Sequence, residues 1–190
     1  MQVKPKLIFL IFIFLTCGIT QACAYSVHQS ENEKPVKNIF ESGQYTIDQK
    51  EKENIELFID PEWIPLSSVD SHKLDVQVAE FHNTSFLLHK VINREHDILF
   101  IFHTTYMLDS EEGTFLYNKI FNNDGTYTST GANGQFILRD PQGEIIETGQ
   151  TGFNSDFSFA FGIQSSEFEK LKEGFSVGYS GMILYEYSLK

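Results

Sequence analysis

Gly152 to Gln164 reads GFNSDFSFAFGIQ, and its alternation decides the fold class. Phe153, Phe157, Phe159, Phe161 and Ile163 share one parity, interrupted only by Ser155. Asn154, Asp156, Ser158, Ala160, Gly162 and Gln164 take the other. A period of two with this contrast predicts a β-strand with one face in a core and the other, Ser158 included, towards solvent. Phe175 to Leu189 repeats the rule, with Phe175, Val177, Tyr179, Gly181, Ile183, Tyr185, Tyr187 and Leu189 on one side of a mostly polar partner set.

Working outward, Asp97 to Leu108 (DILFIFHTTYML) is apolar on both parities in its first half, as a central strand covered on both faces must be. Its second half exposes His103 and Thr105. Leu74, Val76 and Val78 alternate with polar neighbours in a half-buried strand. Gly43 to Asp48 and Ile55 to Asp60 read as two short strands around the charged KEKE segment. Asp124-Gly125 is a type I′ hairpin signal, because both residues tolerate positive φ. Pro141-Gln142-Gly143 is a tight turn. One short helix is expected, with a Ser166/Glu169 capping box, Phe168 and Leu171 inward, and Gly174 at its end. No longer helical pattern alternates with the strands, which argues against a parallel α/β sheet.

The terminal unit of Phe-rich strand, one-turn helix, Gly174 and long alternating strand resembles the end of immunoglobulin-like domains. The preceding FILRDPQGEIIETG resembles the strand-turn-strand element of bacterial exported domains of that fold. The resemblance spans roughly residues 95 to 190 and implies an all-β, antiparallel immunoglobulin-like β-sandwich with one short helical turn. It implies nothing about activity, because sandwiches host many functions.

The amino terminus supplies the compartment. Lys4 and Lys6 precede the apolar run Leu7 to Leu15, which describes a secretory signal peptide over residues 1–24. A membrane span needs about 20 apolar residues, so a leader is the better reading. Ala22-Cys23-Ala24 suits ordinary signal peptidase, which cuts before Tyr25. Ile19-Thr20-Gln21-Ala22-Cys23 resembles the lipobox of bacterial lipoproteins, with Thr20 where that family has a leucine-like residue. The resemblance implies lipid attachment at Cys23 and membrane association through that lipid. Residues 25–40 then form a polar tether and 41–190 the sandwich domain.

Cys17 and Cys23 are the only cysteines, so on either route the exported part has no free thiol and no disulfide. The leader holds two of the 14 basic residues and none of the 26 acidic ones, so the exported part carries −14 against −12 for the whole chain. That balance argues against nucleic acid and anionic polymers as partners.

No coherent catalytic set is legible. Of the six histidines, His82, His89, His96 and His103 recur every seven residues, which alternates their faces on a strand. No H-x-H or H-E-x-x-H pair occurs, so neither a metal nor a cofactor is expected. The acidic loop Asp109 to Gly113 lacks EF-hand spacing. Gly178-Tyr179-Ser180-Gly181 has Met182 where a nucleophile elbow needs glycine. Trp63, in Asp60-Pro61-Glu62-Trp63-Ile64-Pro65, suits a sugar or protein contact if exposed, whereas burial over an open end of the sandwich is commoner for so large a ring.

These readings lead to a non-enzymatic extracytoplasmic binding or interaction module of the bacterial cell envelope, with a protein or envelope ligand. Loops such as Ser129 to Asn133 and the Trp63 segment would carry the contact. The alternatives are a protease inhibitor presenting a loop, and a hydrolase assembled from distant residues. A pocket with paired carboxylates, or a histidine with an acidic partner, would mark the latter.

Overall fold

The computed structural model describes residues 31–190 apart from 68, 123, 131–134 and 155–156, with 153, 154 and 157 described by their backbone alone. The leader, Cys23 and the first part of the tether lie outside the described residues. The chain runs α1 (Lys34–Glu41), β1 (Tyr45–Ile59), β2 (Ser71–Phe81), β3 (Thr84–Asn93), β4 (Asp97–Tyr106), β5 (Glu112–Tyr117), β6 (Lys119–Phe121) and β7 (Tyr127–Ser129). It continues as β8 (Phe136–Arg139), β9 (Ile145–Ile146), β10 (Thr148–Asn154), β11 (Phe157–Gln164) and β12 (Phe175–Leu189). Short 3₁₀ turns occupy Pro61–Trp63 and Ser165–Leu171.

Two antiparallel sheets pack as a sandwich. One has the order β1-β12-β8-β9, with β5 joining β12 farther along, and the other has the order β10-β11-β4-β3-β2. As its two-sided apolar pattern predicts, β4 is central. Between the sheets lie Phe86, Leu88, Phe100, Phe102, Phe159, Phe161, Phe175, Val177 and Tyr179, all but fully buried. Phe159 pairs with Phe102 and Phe161 with Phe100 across the β11/β4 ladder. Their rings stack at 4.7 and 5.2 Å, so strand pairing and core packing use the same residues.

β12 is the spine. β1 runs along one edge, while β8 (opposite Ser176–Tyr179) and β5 (opposite Ile183–Ser188) share the other. Its alternation is interrupted where Tyr179 pairs with Ile55 and Met182 with Glu53, so Ser180 and Gly181 together oppose Asn54 alone. One extra residue on one strand is a β-bulge. Before it, the odd-numbered Phe175, Val177 and Tyr179 face the inter-sheet core; after it, Met182 and Leu184 do. Ile183, Tyr185 and Tyr187 now point to the opposite face, into a second core. Gly181 has to be glycine, since a Cβ there would sit 1.9 Å from Tyr179 Oη.

α1 covers the second core and corrects the tether boundary. Val36, Ile39 and Phe40 fall at i, i+3 and i+4, and all three are buried against β5, β12 and the β6–β7 hairpin. Each such burial contributes about 1.5–3 kcal/mol. The helix thus takes up residues 34–40 of the segment read as tether, within an all-β sandwich of the expected class.

Four other expectations change. GFNSDFSFAFGIQ is not one strand: β10 and β11 form a hairpin in which Asn154 pairs with Phe157. β1 is a single strand through the KEKE segment, with a bulge between Gln49 and Lys52. Ser158 faces inward, its Oγ accepting from Thr104 N–H at 2.9 Å. At the β6–β7 turn Gly125 takes positive φ, at 83°. His82 and Asn83, between β2 and β3, form a two-residue turn with both φ positive, at 49° and 57°. The Ser165–Leu171 turn buries Leu171 as expected, but no side-chain cap starts it. Asp140 anchors the Pro141 turn, its carboxylate accepting from Gln142 N–H at 3.0 Å and Glu144 N–H at 2.8 Å.

Candidate functional site

The bulge on β12 also helps to shape an open groove among the described residues. Beyond it, Leu184 and its β5 partner Leu116 still belong to the inter-sheet core. The next residues on that face, Glu186 and Ser188, run past the end of the second sheet. The His82–Asn83 turn marks that end, with Asn83 Nδ2 donating to Thr114 O at 3.1 Å. Past it, β1, β12 and β5 carry a two-by-three grid of side chains. Asp48, Glu186 and Thr114 form one row, and Thr46, Ser188 and Glu112 the other. With Gly113 and Tyr187 they line a groove of about 380 Å³, within the range of ligand clefts.

Each of these side chains is held by strand register and not by a loop. The opposite face of the same strands is fixed by Tyr45, Ile47, Phe115, Tyr185 and Tyr187 in the second core. Lys50, carried on the β1 bulge, reaches both Asp48 and Glu186, the latter at 2.9 Å. Those two hydrogen bonds, to Asp48 first and then Glu186, raise the Lys50 pKa above its ordinary value. Three carboxylates and three hydroxyls on a rigid surface suit an ammonium or guanidinium group, which makes charge-assisted hydrogen bonds. Thr114 Oγ1 lies 3.5 Å from His82 Nδ1, too long for an effective hydrogen bond.

A second constellation lies on the other sheet. His89 and His103 stand on the antiparallel neighbours β3 and β4, and their rings meet edge to face at 4.3 Å. Both strands leading to this point are bulged: β2 between Lys73 and Val76, β3 between Leu88 and Lys90. Asp75, in the β2 bulge at φ 52°, hydrogen-bonds His89 Nδ1, and Lys73 Nζ lies 3.4 Å from its carboxylate. Burial raises the Asp75 pKa, but His89 and Lys73 outweigh it and hold the carboxyl below its usual range. Spacing along the chain gave no sign of this group, because two bulges and a non-local pairing bring it together. Among the described residues, no cluster of three or more His, Cys, Asp or Glu is arranged to hold a metal ion.

Trp63 lies in the Pro61–Trp63 turn, half-buried and packed on the inter-sheet core, and Asp60 caps that turn by accepting from Glu62 N–H at 2.9 Å. It does not line the groove. In the Ser129 to Asn133 loop, Thr130 is buried and donates to Gly181 O at 3.0 Å, while 131–133 lie outside the described residues. The sequence drew attention to Glu112 and Gly113 as part of the acidic loop Asp109 to Gly113, but not to the set, which register across β1, β12 and β5 assembles.

Fold and groove together define an all-β antiparallel sandwich with an acidic, hydroxyl-lined concave face. No known protein family, curated protein or solved structure matches the chain.

Proposed function

We propose that the chain is a non-enzymatic binding or interaction module of the bacterial cell envelope. In this reading the 1–24 leader exports it, and lipid on Cys23 holds it at the outer side of the membrane. The groove takes an ammonium- or guanidinium-bearing group of a protein or envelope ligand. One observation carries the reading: Asp48, Glu112 and Glu186 share a single rigid face with Thr46, Thr114 and Ser188 along an open groove. The immunoglobulin-like resemblance of residues 95 to 190 is consistent with a module of this kind.

Trilysine is a suitable probe, titrated at low salt because exposed charges are screened otherwise. Its addition should move the amide resonances of Thr46, Thr114 and Glu186, and the Glu112→Gln/Glu186→Gln double variant should lose the response. Groove amides that stay in place in the parent chain would refute the reading. The anchor is tested apart: wild type should sediment with membranes and Cys23→Ser should not, whereas release of wild type with Tyr25 at its amino terminus would defeat lipidation.

A hydrolase is the second reading, and the Asp75–His89 pair is the observation that favours it, since a carboxylate on Nδ1 leaves Nε2 as a base. Its weakness is position. His89 packs edge-on against His103 on the second sheet and does not face the groove.

A further inference from the structure

The seat of α1 is built mainly by distant parts of the chain, with Tyr45 and Ile47 of the neighbouring β1 at its edge. Phe40 enters a cup of Phe115, Tyr117, Phe121, Tyr127 and Tyr185, with ring centroids 4.9–6.2 Å away. Val36 and Ile39 fill the rest beside Ile183. Carboxylates clamp the helix at both ends. Glu33 accepts from Lys119 Nζ at 2.7 and 2.9 Å and from Tyr117 Oη at 3.1 Å. Glu41 accepts from Tyr127 Oη at 3.2 Å.

The helix has eight residues, below the roughly 12–15 at which a helix holds by itself in water. Its order therefore comes from the cup, and the cup's recognition of it is complete: an apolar i, i+3, i+4 stripe between two acidic ends. That is the pattern of helix-in-groove recognition. The link to the rest of the chain is slight. Only Ser42, Gly43 and Gln44 separate α1 from β1. Gly43 turns the chain with φ 69°, a Cβ there would meet nothing within 4 Å, and its carbonyl accepts from the exposed Lys190 Nζ at 2.9 Å. A change of φ at this single residue moves α1 away from its own cup without breaking a ladder.

We propose that the cup takes α1 from a second copy of the chain as well as its own, so that two copies exchange the helix about a two-fold axis. Every contact named above is reproduced in the exchanged pair, and the same surfaces serve both subunits, as closed symmetry requires. The intramolecular seat has the advantage of high effective concentration through its short link. Exchange consequently grows with protein concentration, and it grows further when the hinge resists its present turn. The proposal is independent of the groove and of any ligand.

The exported chain from Tyr25 onward has no cysteine of its own, so an introduced pair is an unambiguous reporter. In Glu33→Cys/Lys119→Cys, a bismaleimide links α1 to whichever cup holds it, because two long side chains meeting at their tips hold the backbones too far apart for a direct disulfide. A helix in its own cup yields a covalent monomer on denaturing gels, and an exchanged helix yields a covalent dimer. The dimer fraction should rise with protein concentration before cross-linking. It should rise several-fold more with Gly43→Val, because a β-branched residue disfavours positive φ. Covalent monomer alone at every concentration in both backgrounds overturns the proposal. So does sedimentation of cysteine-free Gly43→Val as a monomer throughout, a measurement that needs no cross-link to form.

Discussion

The two apolar clusters on either side of β12 are closed by different means. The inter-sheet core is sealed by strands on both sides and filled mainly by Phe, Leu, Ile and Val. The second core has a sheet on one side only, with α1 and the β6–β7 hairpin as its lid, and it is rich in tyrosine. Its rings are buried while their hydroxyls reach the rim. Tyr187 donates to Asp109 O at 2.8 Å and Tyr185 to Lys119 O at 3.2 Å, while Tyr117 and Tyr127 meet Glu33 and Glu41. Tyrosine belongs where one end is dry and the other wet. A core closed by sheets is stabilised by area; a core closed by a lid also depends on the protonation of its rim.

That contrast gives its largest effect in alkali. Burial, then the Glu33 carboxylate, raises the Tyr117 pKa above its ordinary 10.0. Burial, then the Glu41 carboxylate, does the same to Tyr127, and burial raises Tyr185 and Tyr187. For a tyrosine so raised, the stabilisation is fully present below pH 10 and is lost as pH rises through the folded-state value. Burial raises Tyr179 in the inter-sheet core as well, but the lid has four such tyrosines, so it should open first, with amide protection in α1 lost while β4 and β11 stay protected. Simultaneous loss in both regions, followed by hydrogen exchange across that range, would show the two cores to be one cooperative unit.

Next in size are aromatic truncations. Phe159→Ala, in the core between sheets, should cost about 3–5 kcal/mol in denaturant melts. Phe40→Ala should lower global stability by less, because a short terminal helix can detach locally. Equal losses would erase the distinction. The smallest effect concerns the rim of the first core. Ser158→Ala removes the acceptor of the Thr104 N–H, and a lost hydrogen bond of this kind costs about 1 kcal/mol. A neutral result would mean that another group takes over that N–H.

Legibility divides along the same line. Alternation along Phe159–Ile163 and Phe175–Tyr179, and the two-sided apolar run of β4, were enough for the sandwich, because burial on a pleated face leaves a period of two. The lid was hidden. KPVKNIFE has only three apolar residues besides its proline and forms a helix because a cup assembled from residues 115–185 receives them. The break at Asn154 lay within an apparently continuous alternation, since both arms of the β10–β11 hairpin carry phenylalanine. The groove was less visible still. Its residues come from three separate strands, and register is a property of pairs that no single strand records.

The bulge at Ser180–Gly181 has a genetic consequence. Loops absorb inserted and lost residues with little effect, but this position sets the reading frame of a strand that serves two cores. Removing Ser180 or Gly181 would restore plain alternation and leave Met182, Leu184 and Glu186 on the face they occupy now. A single-codon deletion at the bulge is therefore silent in side-chain pattern, whereas one from Met182 to Tyr187 acts as a frameshift, with every residue downstream of it unchanged in identity and reversed in facing.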